Sequence, residues 1–228
     1  MKTGKPVVLL LFTGRPLVLT EEAVNIPSIL NVWFGGSEAG DAIADVLFGK
    51  VNPSGKLTTS FPRSVGQLPL YYNSHNTSRP DPDKNVFNRY TSNYLEDSNE
   101  PLYPFGYGLS YTHFQYDNMV LSSNVLKKGE KLTVSVIVTN KGNYDGCEVV
   151  QLYLHDIYAD VVRPVKELKD FKRIFLKKGE SREVRFVITE EDLKFYNSNL
   201  QYIYETGDFE VMVGTNSRDV QSKTFFAE

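Results

Sequence analysis

From Tyr116 onward apolar and polar residues alternate, and this period of two commits the second half of the chain to strands with one face buried. Leu132, Val134, Val136 and Val138 alternate with Thr133, Ser135, Ile137 and Thr139, and Val150, Leu152 and Leu154 with Gln151, Tyr153 and His155. Val184, Phe186 and Ile188 share a later face, as do Phe209, Val211 and Val213, with Gly207-Asp208 and Gly214 at the ends. Short strands with regular turns between them predict an antiparallel sandwich over 116–228. Lys127-Lys128-Gly129-Glu130 and Lys177-Lys178-Gly179-Glu180 read as two tight turns ahead of strands, not as an internal repeat. Thr189 with Asp192 three residues later predicts one capped helical turn. Tyr196 is the candidate for a tyrosine-corner residue.

Residues 1–72 follow a different pattern. Pro6 to Phe12 is a continuous apolar run, as in a strand covered on both faces, and Ile29 to Phe34 is dense enough for another. The connection through Thr20-Glu21-Glu22 reads as irregular and ends at Pro27. Gly40 to Leu47 predicts a helix with Ala42, Ile43, Val46 and Leu47 on one face, Asp41 and Asp45 on the other, and Gly49 at its end. Asn52-Pro53-Ser54-Gly55 reads as a turn into a last strand, Leu57 to Phe61. The sum is an α/β layer with too few strands for a complete doubly wound sheet, truncated on its N-terminal side. Met1 to Lys5 followed by Val7 to Phe12 superficially looks like an export signal, but the run is short, Arg15 interrupts its continuation and no small-x-small site follows. A strand is the better reading, with any export signal expected upstream of this sequence and the compartment left open.

Between these halves, residues 73–115 form a long loop and a linker. Residues 73–100 are rich in Asn, Ser, Asp and Pro, from Asn73 through Arg79 to Asp83, and show no period; loops of that length are usually functional or disordered. Phe87, Tyr90 and Tyr94 favour an ordered loop packed on something. Pro101 to Phe114 then threads Tyr103, Phe105, Tyr107, Tyr111 and Phe114 between two prolines and two glycines. Aromatic area, stiff prolines and permissive glycines together predict a buried seam that fixes one layer against another.

The run PLYPFGYGLSYTHF resembles the signature that closes the middle domain of family 3 glycoside hydrolases, the β-glucosidase and β-xylosidase group, and opens their fibronectin-III-like domain. Gly4 to Leu19, Trp33 to Gly49, Asn52 to Pro62 and Val162 to Phe175 resemble the same family in the same order. Nearly the whole chain is covered, yet by only the last third or so of such an enzyme. The resemblance implies the C-terminal part of an α/β sandwich domain at 1–72 and an immunoglobulin-like, fibronectin-III-like β-sandwich at 116–228. It implies a parent enzyme that hydrolyses terminal β-linked glucosyl or related residues through a covalent glycosyl-enzyme intermediate. In that family the nucleophilic Asp lies on an N-terminal barrel and the acid/base Glu before the stretch where this chain begins. The resemblance therefore implies no catalytic residue here, a scaffolding role, the N-terminal catalytic barrel as missing partner, and a carbohydrate as substrate of the parent. Two other readings stay open: a stand-alone carbohydrate-binding or adhesion module, and a chain that joins a separate barrel subunit or self-associates through an exposed sheet edge.

The remaining residues bound the chemistry. Lys plus Arg number 25 against 28 Asp plus Glu, a net charge of −3, and no basic run interleaves with the aromatics, which argues against nucleic acid. No apolar stretch is long enough to span a membrane as a helix. Cys147 is alone, so neither an intrachain disulfide nor a Cys-based metal site is expected. His75, His113 and His155 lack metal-binding spacing, and no cofactor is expected: the Gly35 to Gly40 turn has Ser37 where a dinucleotide fingerprint needs its second glycine. Retaining hydrolysis requires two carboxylates about 5 Å apart, and spacing alone selects no such pair. Glu38, in that turn, could be an acid, but a helix N-terminus favours its ionised form and hence a structural role. His113 is expected to be buried or interfacial, and His155 to lie on an exposed strand face. Arg79, Arg89, Tyr90 and Asp97 are the loop's candidate sugar-site residues, with ion pairs or loop anchorage as the alternative. Tyr153 and Tyr158, on an expected exposed face, would be either a sugar platform or cross-strand packing.

Overall fold

The computed structural model describes residues 4–80, 88–95 and 97–228. Phe87, read above as a packing aromatic of the loop, lies outside the described residues, as do Asp81 to Asp83.

The first unit contains β1 (Val8–Leu11), α1 (Thr20–Asn25), β2 (Ser28–Asn31) and α2 (Ala39–Leu47). β1 and β2 pair in parallel, Val8 opposite Ser28 and Leu11 opposite Asn31. A parallel pair needs a crossover, and α1 lies within it, where an irregular connection was expected. Glu21 and Glu22 stand in its first turn, where negative charge suits the helix dipole, and Asn25 Nδ2 donates to the Glu21 carbonyl at 2.8 Å. It stops before Pro27 because the preceding Ile26 is held extended (φ −109°, ψ 120°). Helix α2 forms as expected and ends on Gly49, whose φ of +75° suits a residue without Cβ. Leu11, Leu19 and Phe61 make the small core of this unit, with Ile29, Trp33 and Tyr103 packed on it.

The stretch Asn52-Pro53-Ser54-Gly55 runs without a turn, because the Asn52 side chain is used elsewhere. Its Oδ1 accepts from Ser110 Oγ at 2.8 Å and from the Tyr111 amide at 2.9 Å, while Nδ2 donates to the Asp145 carbonyl at 2.9 Å. Nor do Leu57 to Phe61 extend the β1–β2 sheet. They pair with the aromatic run: Leu57 donates to the Tyr107 carbonyl, Gly106 to Leu57, Phe61 to Tyr103 and Leu102 to Phe61, at 2.7–2.9 Å. The prolines in that run interrupt a regular ladder, so only the bridge Phe61–Tyr103 is strand-like.

The second unit is the sandwich. Its elements are β3 (Phe114–Leu121), β4 (Val125–Leu126), β5 (Leu132–Asn140), β6 (Gly146–Asp156), β7 (Glu167–Leu176), β8 (Ser181–Ile188), α3 (Glu190–Leu193), β9 (Phe195–Tyr196), β10 (Tyr202–Ile203), β11 (Gly207–Gly214) and β12 (Val220–Ala227). One sheet runs β4-β12-β11-β6-β7 and faces the other, β3-β5-β8, while β9 and β10 pair separately. The period-two residues fill the space between: Val134, Val136, Val138, Val150, Leu152, Leu154, Phe186, Phe209, Val211 and Val213 are all buried in one cluster. Both Lys-Lys-Gly-Glu stretches are turns with their glycine at φ +77° and an amide-to-carbonyl bond of 2.9 Å from Glu to the first Lys, the geometry of a type II turn. Thr189 and Asp192 form the expected cap, the Thr189 amide donating to Asp192 Oδ2 at 2.8 Å.

Four expectations about single side chains give way. Tyr196 is 66% exposed, its ring 5.0 Å from that of Tyr202; a corner tyrosine is buried with its hydroxyl on backbone, and it is Tyr204 whose hydroxyl reaches a carbonyl, that of Glu228, at 2.7 Å. Tyr153 is fully buried instead of lying on an exposed face, because Tyr72 and the aromatic run cover the outer side of β6; Tyr158, just past that strand, is 79% exposed, so the two form no platform. His113 is exposed, its carbonyl accepting from the Lys141 amide at 2.8 Å, and His155 is half-buried, its Nδ1 2.8 Å from the Pro164 carbonyl.

Candidate functional site

The aromatic run lies between the two units. Phe105 stacks on Tyr72 with ring centres 4.1 Å apart, Tyr107 stacks on Tyr103 at 5.2 Å, and Tyr103 meets Phe61 edge-on at 6.2 Å. Phe105 and Tyr107 are half-buried, whereas the Tyr111 ring is more exposed and its hydroxyl donates to the Val46 carbonyl at the end of α2. Gly106 has φ +78°, and a Cβ there would stand 2.0 Å from Gln151 Oε1. The close approach lets Gln151 Nε2 donate to the Gly106 carbonyl at 3.1 Å and to the Thr215 carbonyl at 2.7 Å.

A buried polar cluster stands beside this seam. Lys56, from the first unit, reaches Glu148 Oε1 on β6 at 3.1 Å, Thr215 Oγ1 at 2.9 Å and the Gly108 carbonyl at 3.2 Å. Glu148 Oε1 also accepts from the Tyr116 hydroxyl at 2.9 Å and from Thr215 Oγ1 at 2.7 Å. Burial, and then the Glu148 charge, push the Tyr116 hydroxyl well above its ordinary range. A carboxylate oxygen accepting three hydrogen bonds is a counter-ion and not a poised base.

The candidate sugar-site residues belong to the long loop, which is fastened at both ends. At its far end Gln67, completely buried, donates from Nε2 to the carbonyls of Ser98 (2.7 Å) and Glu100 (3.3 Å), and Tyr94 donates to the Gln67 carbonyl at 3.0 Å. At its near end the Val165 amide donates to the Ser74 carbonyl at 2.9 Å and His75 bridges Pro164. Arg79 is exposed, and its carbonyl accepts from the Ser92 amide at 2.8 Å. That contact brings Arg79 close in the chain path to exposed Arg89 and Tyr90, which form a turn whose Tyr90 amide donates to Asn88 Oδ1 at 3.1 Å. Asp97 is apart from them, half-buried near the Gln67 anchor, with Oδ1 accepting the Ser98 amide at 2.9 Å. The sequence carried no signal for Gln67, an ordinary polar residue in a polar stretch.

Beside this, Glu38 is exposed at the start of α2 on a shallow open cleft lined by Leu30, Val32, Ala42, Ile43 and Val46. None of the residues of α2 is buried, although its apolar face is the expected one. Among the described residues no three His, Cys, Asp or Glu side chains gather as metal ligands. No helix among them is long and apolar enough to cross a membrane.

Comparison with known proteins agrees with this architecture. Residues 1–111 match the model of the glycosyl hydrolase family 3 C-terminal domain, and residues 148–217 that of a fibronectin type III-like domain. A periplasmic beta-glucosidase of Salmonella typhimurium is 52% identical over 98% of this chain and 29% of its own length; a beta-xylosidase of Formosa agariphila is 47% identical over 98% and 30%. The crystal structure of a beta-glucosidase from Listeria innocua in complex with isofagomine superposes with a TM-score of 0.93 at 46% identity, over 98% of this chain and 31% of that one. The chain thus spans about three-tenths of the length of these relatives. With an α/β layer, an aromatic seam and a fibronectin type III-like sandwich in that order, it belongs to glycosyl hydrolase family 3 and corresponds to the C-terminal part of its members.

Proposed function

We propose that this chain serves as the C-terminal scaffold of a retaining glycoside hydrolase of the β-glucosidase type, acting on terminal β-linked sugars. The two catalytic carboxylates would be supplied by a partner region that includes an N-terminal barrel. The observation that carries the reading is the unburied apolar face of α2 in the first unit. Phe12, Val24, Phe34 and Phe48 are exposed and the cleft on α2 is open, whereas the sandwich has a closed core of its own. Such a face demands a cover. On this reading 1–72 completes an α/β domain, 73–115 is loop and seam, and 116–228 braces both. Arg79, Arg89 and Tyr90 on the exposed part of the loop, with Asp97 nearer its anchor, would border the substrate entrance, where guanidinium and phenol groups suit sugar hydroxyls.

The test supplies the preceding part of the enzyme in trans. The chain alone is expected to leave an aryl β-glucoside intact, and the mixture to turn it over. Ile43→Asp, which places a charge on the apolar face of α2, is expected to lower the recovered turnover at least ten-fold while the sandwich keeps its far-UV circular dichroism. Turnover by the chain alone, abolished by one carboxylate substitution, would overturn the proposal. Glycan affinity confined to 116–228 would favour a binding module, and a stable homodimer in place of the mixed complex would favour self-association.

A further inference from the structure

We propose that Arg163 is a positioning residue for the long loop, acting from the sandwich through the connection between β6 and β7. Four consecutive residues of that connection are each fixed to a different part of the molecule. The Arg163 guanidinium lies 4.6 Å above the ring of Phe195, which is buried, and its Nη2 donates to Glu167 Oε2 at 2.8 Å. Its Nε stands 4.0 Å from Asp156 Oδ2. The Pro164 carbonyl accepts from His155 and the same residue bridges His75. The Val165 amide donates to the Ser74 carbonyl at 2.9 Å, and Lys166 Nζ donates to the Ser217 carbonyl at 2.6 Å. The two middle residues therefore hold the backbone at 74–75, where the long loop leaves the first unit, and the residue before them decides where they stand.

Arg163 is suited to that task for a physical reason. A planar guanidinium can stack on a ring and bond sideways to a carboxylate at once, which a lysine ammonium cannot do in the same way. Its position fixes the course of the backbone entering Pro164, itself restrained in φ. Arg163 Nε and Asp156 Oδ2 are buried without a hydrogen-bond partner, so this pairing is not what fixes the site; the Phe195 stack and the Glu167 bond do so. Tyr72 completes the crossing, stacking on Phe105 while its hydroxyl accepts from the Leu168 amide at 3.3 Å. The sandwich thus holds the near end of the loop independently of Gln67, which holds its far end.

This inference rests on the proposed loop role only for its consequence on substrate, and the experiment separates the two. Hydrogen exchange of the Val165 amide reads the crossing directly in the 228-residue chain. The variants are Arg163→Met and the double variant Arg163→Met/Asp156→Asn, which leaves Asp156 without a buried unpaired charge should the single variant fold poorly. Both are expected to exchange Val165 at least ten-fold faster with the amides of β5 and β11 unchanged, and Arg163→Lys to recover part of the protection. Unchanged Val165 protection in the folded variants, or equal loosening of β5 and β11, would overturn the proposal. In the longer enzyme the same variants are expected to raise KM several-fold with kcat within two-fold. A faster Val165 with unchanged KM would leave Arg163 as the anchor of the loop and overturn instead the substrate role of that loop.

Discussion

Asp156 shows what burial does to one residue. Its carboxyl is pushed up to about 6, chiefly by desolvation; Arg163 opposes the rise, Glu205 adds to it, and His155 and the Tyr158 amide oppose it. Because the folded value exceeds the ordinary 3.8, the native state binds the proton more tightly than the unfolded chain does. This group therefore lowers stability as pH rises from about 4 through about 6, and its full burden is present above that. Replacing Asp156 by Asn removes this dependence. Between pH 7.5 and pH 5 the melting temperature of the unaltered chain is expected to gain on that of Asp156→Asn, read by calorimetry at both values; a gap that does not change with pH would refute the assignment. Two burials escaped sequence reasoning for one cause. Tyr153 occupies a polar-face position by alternation, and Gln67 sits in a polar stretch, yet both are completely buried, because other segments cover them. Periodicity reports the face a strand turns to its own core and says nothing of what packs on the other side.

At the scale of elements, the sandwich strands were legible because each buries one face and so repeats every second residue. Helix α1 was not, since six residues with no buried side chain show no helical stripe. The pairing of Leu57 to Phe61 with the seam was hidden because prolines and glycines break the ladder into single contacts. Those glycines give a sharp test. Gly106 needs its left-handed backbone and has Gln151 Oε1 2.0 Å from a would-be Cβ, and Gly108 has the Gly55 carbonyl at 2.3 Å. Gly40, within α2, has open space around it. Gly106→Ala should lose about 2–3 kcal/mol, from the strained φ and the displaced Gln151 bonds, whereas Gly40→Ala should gain about 0.5–1 kcal/mol from helix propensity. Urea denaturation with unchanged slope measures both. Equal losses at the two positions would mean that the seam does not depend on close backbone approach.

For the whole molecule the question is whether the two units fold as one. They share the stacked seam, the Asn52 bonds and the Lys56–Glu148 pair, whose side chains are 10% and 4% exposed. A buried pair of this kind adds little over an apolar replacement of the same shape, but loss of one partner strands the other charge, at about 3–5 kcal/mol. Lys56→Met should therefore cost about that much, and Lys56→Met/Glu148→Gln should recover a large share of it, although Gln must still satisfy Tyr116 and Thr215. The chain has a single tryptophan, Trp33, packed on the core of the first unit, so its fluorescence follows that unit while far-UV circular dichroism follows mainly the strands of the sandwich. In the unaltered chain the two transitions should coincide, as expected of a cooperative unit. In Lys56→Met the Trp33 transition should move to lower denaturant, ahead of the sandwich, because the smaller core depends on its brace and the larger does not. If the two probes stay coincident in that variant, the seam alone couples the units and the buried pair contributes stability without cooperativity; if they separate even in the unaltered chain, the sandwich is an independent domain, and the coupling requires the cover that the apolar face of α2 lacks here.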